Sequence, residues 1–234
     1  MKLSIIIPAY NEEKRILPTL NNYYQFFKKQ LNNDFEMIII PNNCSDNTLM
    51  VVRKFSKGKN QIKFFNISRY SGKGGAVIKG FELASGDYIG FTDADGSTNA
   101  ENFFKLYKNI KNFDGIIASR KIKGALIKPP RRKTQNISSF LFNKLVRLLF
   151  NLKYYDTQCG AKLFTKKTAK FLTKNYTETG WIFDVDLLYL CKKNNLKILE
   201  YPIQWTDKEN SKLSFLQGIN SIFKLVKLRV LHNF

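Results

Sequence analysis

The sequence predicts an α/β fold, a mostly parallel sheet flanked by helices on both faces. Short apolar runs alternate with stretches whose apolar residues recur at helical spacing, and the alternation persists over residues 3–119. Most runs are apolar at successive positions rather than at every second one, the pattern of parallel strands buried on both faces. With 234 residues, 44% of them hydrophobic and 24% charged, the chain can bury a sizeable core and lies outside the compositions of disordered proteins.

Residues 3–7, Leu-Ser-Ile-Ile-Ile, read as the first strand, closed by Pro8. This run is too short for the apolar core of a signal peptide and lacks a cleavage site, so it is taken as a strand. Over 12–29, Ile16, Leu20, Tyr23 and Phe27 sit three or four residues apart, which places a helix there. Strands over 37–40 and 62–67 are followed by helices near 48–55 and 75–84. The strand over 88–92 ends in acidic residues, and a helix near 100–109 and a strand over 115–119 complete the series. Sheets of this kind bind ligands beyond the carboxyl ends of their strands.

After residue 119 the pattern changes. Ser119-Arg120-Lys121 and Pro129-Pro130-Arg131-Arg132-Lys133 are basic and poorly periodic, a strongly apolar stretch over 137–152 follows, and the second half is not expected to extend the sheet. A polar turn over 156–160 precedes further helix signals, notably 182–191, then a late strand over 198–202 and a last helix over 215–231. No repeat, low-complexity segment or linker interrupts the chain, so a single domain over 1–234 is expected.

Lys and Arg number 39 against 18 Asp and Glu, a net charge of +21 that favours anionic partners without choosing between nucleic acid, a membrane surface and phosphorylated small molecules. No helix-turn-helix, zinc or single-strand-binding signature is present, so nucleic acid is not an expected partner. Cys44, Cys159 and Cys191 lie far apart without metal-ligand spacing, which fits a reducing, cytoplasmic setting.

Two local features carry chemistry. In Tyr88-Ile89-Gly90-Phe91-Thr92-Asp93-Ala94-Asp95-Gly96, two carboxylates emerge two residues apart from a strand end, a spacing suited to a hard cation such as Mg²⁺ or Mn²⁺ that can bridge a diphosphate. Ser71-Gly72-Lys73-Gly74-Gly75-Ala76 opens a helix, and its backbone amides and lysine are expected to approach an anion. The one histidine, His232, is expected at the surface.

Together with Pro8-Ala9-Tyr10-Asn11-Glu12 and Asn42-Asn43-Cys44-Ser45-Asp46-Asn47-Thr48, these segments resemble the inverting family 2 glycosyltransferases of the GT-A fold. Asp156-Thr157-Gln158-Cys159-Gly160-Ala161-Lys162-Leu163-Phe164 and Trp181-Ile182-Phe183-Asp184-Val185-Asp186-Leu187-Leu188-Tyr189 extend the resemblance, and look closest to the dolichyl-phosphate glucosyltransferases, with the mannose synthases as near relatives. The resemblance implies a nucleotide-sugar-binding half over 1–120 and an acceptor-binding half over 121–234. It places Pro8, Ala9, Tyr10, Glu12, Asn42, Asp46 and Ala94 on the nucleotide side, Lys73 near the diphosphate, and Asp93 and Asp95, which also face the nucleotide, on the metal. Arg120 and Arg131 or Arg132 fall to phosphate contacts. Two departures stand out: Pro41-Asn42 replaces the usual Asp pair, and Ser97 stands where mannose synthases often have Gln.

The implied reaction takes a hexose from UDP-glucose, or alternatively GDP-mannose, to a polyprenyl or dolichyl phosphate. A phosphate monoester is largely dianionic at neutral pH and needs no strong base. A saccharide hydroxyl would need a carboxylate base, for which Asp156 and Asp184 are the candidates. A lipid acceptor implies a membrane surface. Amphipathic helices near 136–153 and 212–232 suit interfacial rather than spanning placement: Ile137, Phe140, Leu141, Leu145, Leu148, Leu149 and Leu152 share the first with Lys144 and Arg147. Phe215, Ile219, Phe223, Val226 and Val230 share the second with Lys212, Lys224, Lys227 and Arg229. The expected location is therefore cytoplasmic, peripherally attached to a membrane.

Overall fold

The computed structural model describes residues 2–129, 133–206 and 215–232, the side chains of 133–137 and 215–221 excepted. The first half follows the expected order: β1 (Leu3–Ala9), α1 (Ile16–Leu31), β2 (Phe35–Pro41), α2 (Thr48–Ser56), β3 (Ile62–Phe64), α3 (Gly72–Leu83), β4 (Tyr88–Phe91), α4 (Ala100–Asn109) and β5 (Gly115–Ser119). The second half supplies β6 (Leu126–Lys128), α5 (Lys133–Phe150), β7 (Lys162–Thr165), α6 (Lys166–Asn175), α7 (Phe183–Lys193), β8 (Ile198–Pro202), β9 (Gln204–Thr206) and α8 (Phe215–Leu231).

Seven strands form one sheet in the order β3-β2-β1-β4-β7-β5-β8. Every neighbouring pair is parallel except those of β7, which runs antiparallel to both β4 and β5. This corrects the expectation that the second half stays out of the sheet, since β7 and β8 both enter it. β7 is only four residues long and is headed by Lys162, which hides it in the sequence. In the fold that lysine is fully buried, and its Nζ reaches Asp184 Oδ1 at 2.5 Å. A separate parallel pair, β6 with β9, consists of three-residue strands too short to show a period.

Alternate residues of β1 and β2 serve opposite faces, which is why the runs read as continuously apolar. Leu3, Ile5, Ile7, Met37 and Ile39 pack with Leu20, Tyr23 and Phe27 of α1 and Phe103 of α4. Ile6, Ile38 and Ile40 belong to the other core, with Val77 and Phe81 of α3 and Phe183 and Leu188 of α7. Each fully buried side chain of this size contributes about 1.5–3 kcal/mol of transfer free energy.

The two amphipathic helices pack against each other and have two apolar sides. Val146 and Phe150 of α5 and Leu225 and Leu228 of α8 are buried, whereas Phe140, Leu141, Leu148, Phe223, Val226 and Val230 are exposed, Leu148 to 79% and Phe223 to 72%. Leu145 and Leu149 are partly buried and Leu152 is buried, so the face expected from spacing is divided between core and solvent. Lys212 and the side chains of Ile137, Phe215 and Ile219 lie outside the described residues. Among those described, no helix is long and apolar enough to cross a membrane.

Candidate active site

The acidic turn leaves β4 through Thr92, whose N–H still bonds the Ile6 carbonyl at 3.0 Å. Helix α1 then holds it from below. Thr19 Oγ1 donates to the Ala94 carbonyl at 2.9 Å, Tyr23 Oη lies 2.9 Å from Thr92 Oγ1 and 2.8 Å from the Thr98 carbonyl, and Asn22 accepts the Ala100 N–H. With Ala94 buried, Asp93 and Asp95 are left at the carboxyl edge of the sheet. Asp95 Oδ1 accepts the Ser97 N–H at 2.9 Å. Burial and the neighbouring Asp93 charge push the Asp95 carboxyl above the usual carboxylate range, against the opposing pull of Ser97 and Arg15.

Lys73 meets this turn from α3, its Nζ 2.6 Å from Asp93 Oδ1. Burial works against its charge, and Asp93 and Asp184 outweigh that, so its proton is held more tightly than an ordinary lysine's. The surrounding glycines have a different role from the expected one. The Gly74 N–H is given to the Thr179 carbonyl at 2.7 Å rather than to an anion. A Cβ on Gly72, whose φ is +73°, would strike the same carbonyl, and one on Gly74 would lie 2.6 Å from Phe183 Cβ. The glycines let the turn press against residues 179–183, and that contact aims Lys73 at Asp93.

The residues expected on the nucleotide side gather at the end of β1 and on the loops after β1 and β2. Pro8 and Ala9 are in β1, in register with Ile40 and Pro41, and the Ala9 carbonyl accepts the Asn42 N–H at 2.9 Å. Asn42 is buried: its Nδ2 donates to the Gly72 carbonyl at 2.9 Å and its Oδ1 accepts the Ser71 N–H at 3.1 Å. Asp46 accepts the N–H groups of Thr48 and Glu13, and Glu12 grips Arg15 through both oxygens. Asn42 and Asp46 brace one loop to another, while Glu12 fixes the start of α1. Tyr10 instead is 44% exposed, with its ring 5.0 Å from that of Tyr70, itself 54% exposed. Sequence reasoning missed Tyr70, whose association with Tyr10 arises only when β3 and β1 share a sheet.

The second half brings a turn, 156–160, against the acidic one. Arg120 directs its Nε, Nη2 and backbone N–H to Asp156 at 2.7–2.9 Å and lies over the Trp205 ring. Burial pushes the Asp156 carboxyl up, and the Arg120 charge and hydrogen bonds outweigh it and hold it at about 2. A Cβ on Gly160 would occupy the position of the Asp93 carboxylate, so only glycine admits that close approach. Gln158 Nε2 is buried without a hydrogen-bond partner among the described residues. Arg131 and Arg132 lie outside those residues. His232, expected at the surface, is buried, with Nε2 2.6 Å from Asp186 Oδ1; the pairing joins residues 46 apart and leaves no local signal.

Comparisons with known proteins agree with this geometry. Residues 4–172 match the family described as Glycosyl transferase family 2. The chain is 34% identical over 241 residues to a dolichyl-phosphate beta-glucosyltransferase of Dictyostelium discoideum, covering 97% of this chain and 73% of that protein. It is 32% identical over 250 residues to the Saccharomyces cerevisiae protein of the same name, covering 97% and 74%. Glucosyl-3-phosphoglycerate synthase from Mycobacterium tuberculosis, solved with UDP, superposes with a TM-score of 0.71 at 14% identity, covering 97% of this chain and 80% of that one. The mannosyltransferase PcManGT from Pyrobaculum calidifontis, solved with GDP-Man and Mn²⁺, superposes at 0.62 and 14% identity, covering 95% and 64%; at such identities the likeness is one of fold. With the acidic turn, the lysine and the seven-stranded sheet in place, the chain belongs to the family 2 glycosyltransferases and has their GT-A fold.

Proposed function

We propose that this enzyme transfers glucose from UDP-glucose to a polyprenyl or dolichyl phosphate, inverting the anomeric centre in a single displacement that depends on Mg²⁺ or Mn²⁺. The observation that carries the acceptor class is the fate of the two candidate bases. Asp156 is tied up by Arg120 and Asp184 by Lys162, both in buried ion pairs. A site whose two candidate bases are both held in ion pairs suits an acceptor that arrives already ionised. The names of the relatives support the same acceptor and sugar.

The acidic turn fits a divalent cation. Burial and the neighbouring Asp93 charge raise the proton affinity of Asp95, and Lys73 meets the pair through Asp93. Among the described residues no cluster of three or more His, Cys, Asp or Glu side chains forms, so the other ligand positions fall to substrate oxygens and water. Bound there, the ion supplies a Lewis acid for the diphosphate leaving group. Lys73 adds a positive charge to the same diphosphate, and Tyr10 with Tyr70 offers a face to the nucleobase. The orphaned Gln158 amide, in the turn whose Gly160 abuts Asp93, donates to a sugar hydroxyl of the donor. Asp156 takes two of the five N–H donors of Arg120 and fixes its plane; Arg120 and Arg131 then serve the acceptor phosphate. The exposed residues of α5 and α8, with Lys144, Lys224 and Lys227, support seating on an anionic membrane surface.

The test offers UDP-glucose or GDP-mannose, Mn²⁺, and either a polyprenyl phosphate or a soluble saccharide, and identifies products by mass. A glucosyl-phosphoryl lipid is expected. Transfer to the saccharide hydroxyl alone would overturn the acceptor, and a product from GDP-mannose alone would overturn the sugar.

A further inference from the structure

We infer that the buried Asp186–His232 pair is a positioning device that holds residues 177–180, and through them Lys73, in place. The inference rests on the donor-site reading of Lys73 and Asp93. Asp186, in α7, is fully buried, and its two oxygens face different partners. Oδ2 accepts the N–H groups of Thr177 at 2.7 Å and Glu178 at 2.8 Å, with Thr177 Oγ1 3.2 Å away. Oδ1 is 2.6 Å from His232 Nε2. One carboxylate is thus shared between a loop and the residue that follows α8, and in a buried setting such shared bonds fix all their members together.

Both ends of the arrangement are anchored. The His232 ring packs against Tyr189 with centroids 5.1 Å apart, its carbonyl accepts Lys193 Nζ at 2.9 Å, and its N–H reaches the Leu228 carbonyl. At the other end, the next residue after Glu178 is Thr179, whose carbonyl takes the Gly74 N–H at 2.7 Å. Gly72 and Gly74 leave no room for a Cβ between the two segments. Lys73 sits between these glycines, so the 2.6 Å separation of its Nζ from Asp93 Oδ1 is inherited from the position of Thr179. Losing the imidazole leaves Asp186 Oδ1 without this partner in the interior, and the loop is held by a carboxylate that is itself less well held. Helix α8, which displays Phe223 and Val226 to the outside, therefore ends on the group that fixes the donor loop.

Hydrogen exchange together with steady-state kinetics tests this. In His232→Ala the Thr177, Glu178 and Gly74 amides should exchange roughly ten-fold faster, the scale of one lost buried hydrogen bond, while the Leu3–Ala9 strand keeps its protection. kcat/KM for UDP-glucose should fall about five-fold, through kcat as well as KM, since Lys73 faces the diphosphate both when it is bound and as it leaves. His232→Gln, whose amide nitrogen can donate to Oδ1, should restore both. Unchanged exchange at those three amides would refute the device, and so would equal acceleration in Leu3–Ala9, which marks general destabilisation. If His232→Ala does not fold, the wild-type protein decides: UDP with Mn²⁺ must slow exchange at Thr177, Glu178 and His232, because coupling is reciprocal. Protection confined to residues 72–74 would overturn the coupling. Failure of UDP to bind at all would instead remove the donor reading, and the His232→Ala exchange pattern would still judge the device by itself.

Discussion

Carboxylates at the end of β4 and those of the second half meet opposite environments. Asp156, Asp184 and Asp186 are almost wholly buried, and each faces its own basic partner: Arg120, Lys162 and His232. Asp93 and Asp95 are half-buried, lie close to each other and are met by Lys73 of α3. The first group closes its electrostatics inside the protein and becomes framework. The second stays partly open at the carboxyl edge of the sheet, with Lys73 2.6 Å from Asp93, an arrangement that suits the cation and ligand proposed above. An aspartate's role here is decided by which basic residue arrives from a distant element.

Breaking the second group should have the largest effect. Asp95→Asn is expected to lower transfer roughly 10²–10³-fold or more, the scale of losing one electrostatic contact to a leaving group, with the thermal midpoint within about 4 °C of wild type. Product mass and a melting curve check both halves of that statement. An Asp95→Asn enzyme with wild-type turnover would erase the distinction between the two groups.

In the framework group the damage should appear as instability. Lys162→Met leaves Asp184 buried beside an apolar chain and should cost about 3–5 kcal/mol, whereas Lys162→Met with Asp184→Leu should recover most of it. Urea unfolding of the two variants measures the difference.

Acid separates the groups without mutation. The Asp156 carboxyl is held at about 2, below its unfolded value, so its stabilisation is complete above the usual carboxylate range and is lost as pH falls toward 2. Asp95 is shifted the other way, so protons compete for it at a higher pH than for an ordinary aspartate. Mn²⁺ binding should therefore fade while the fold persists, as titration calorimetry beside circular dichroism from pH 7 to about pH 4 would show. Simultaneous loss would mean that the two groups are not distinct. The smallest effect on stability should come from Phe223→Ser with Val226→Ser, exposed to 72% and 50%: within about 0.5 kcal/mol in unfolding, with a clear drop in liposome association.

Much of this was legible in the sequence, for identifiable reasons. Buried parallel strands announce themselves as runs such as Ile5-Ile6-Ile7, and the acidic turn is a local pattern at a strand end, so the sheet's first half and the Asp93–Asp95 pair could be read directly. Contacts that depend on distant partners could not. A lysine at the head of a buried strand gives no strand signal until Asp184 neutralises it, and Asp156 and Asp184 look like candidate bases until their cations are placed. The glycines around Lys73 signalled close approach correctly but not to what, since Thr179 is more than a hundred residues away.

The antiparallel strand has a consequence for how the chain acquires its shape during synthesis. In the sheet β5 lies between β7 and β8, and neither exists when the ribosome has made only the first 119 residues. At that point β4 also lacks its second neighbour, so two apolar strand edges wait for Lys162–Thr165 to emerge and slot between them. A nascent chain in this condition is exposed to edge-to-edge pairing with other chains. Cutting the gene after the codon for Arg120 should accordingly yield an aggregating fragment rather than a free-standing nucleotide-binding half, because the piece that joins the two sections of the sheet is encoded some forty codons later.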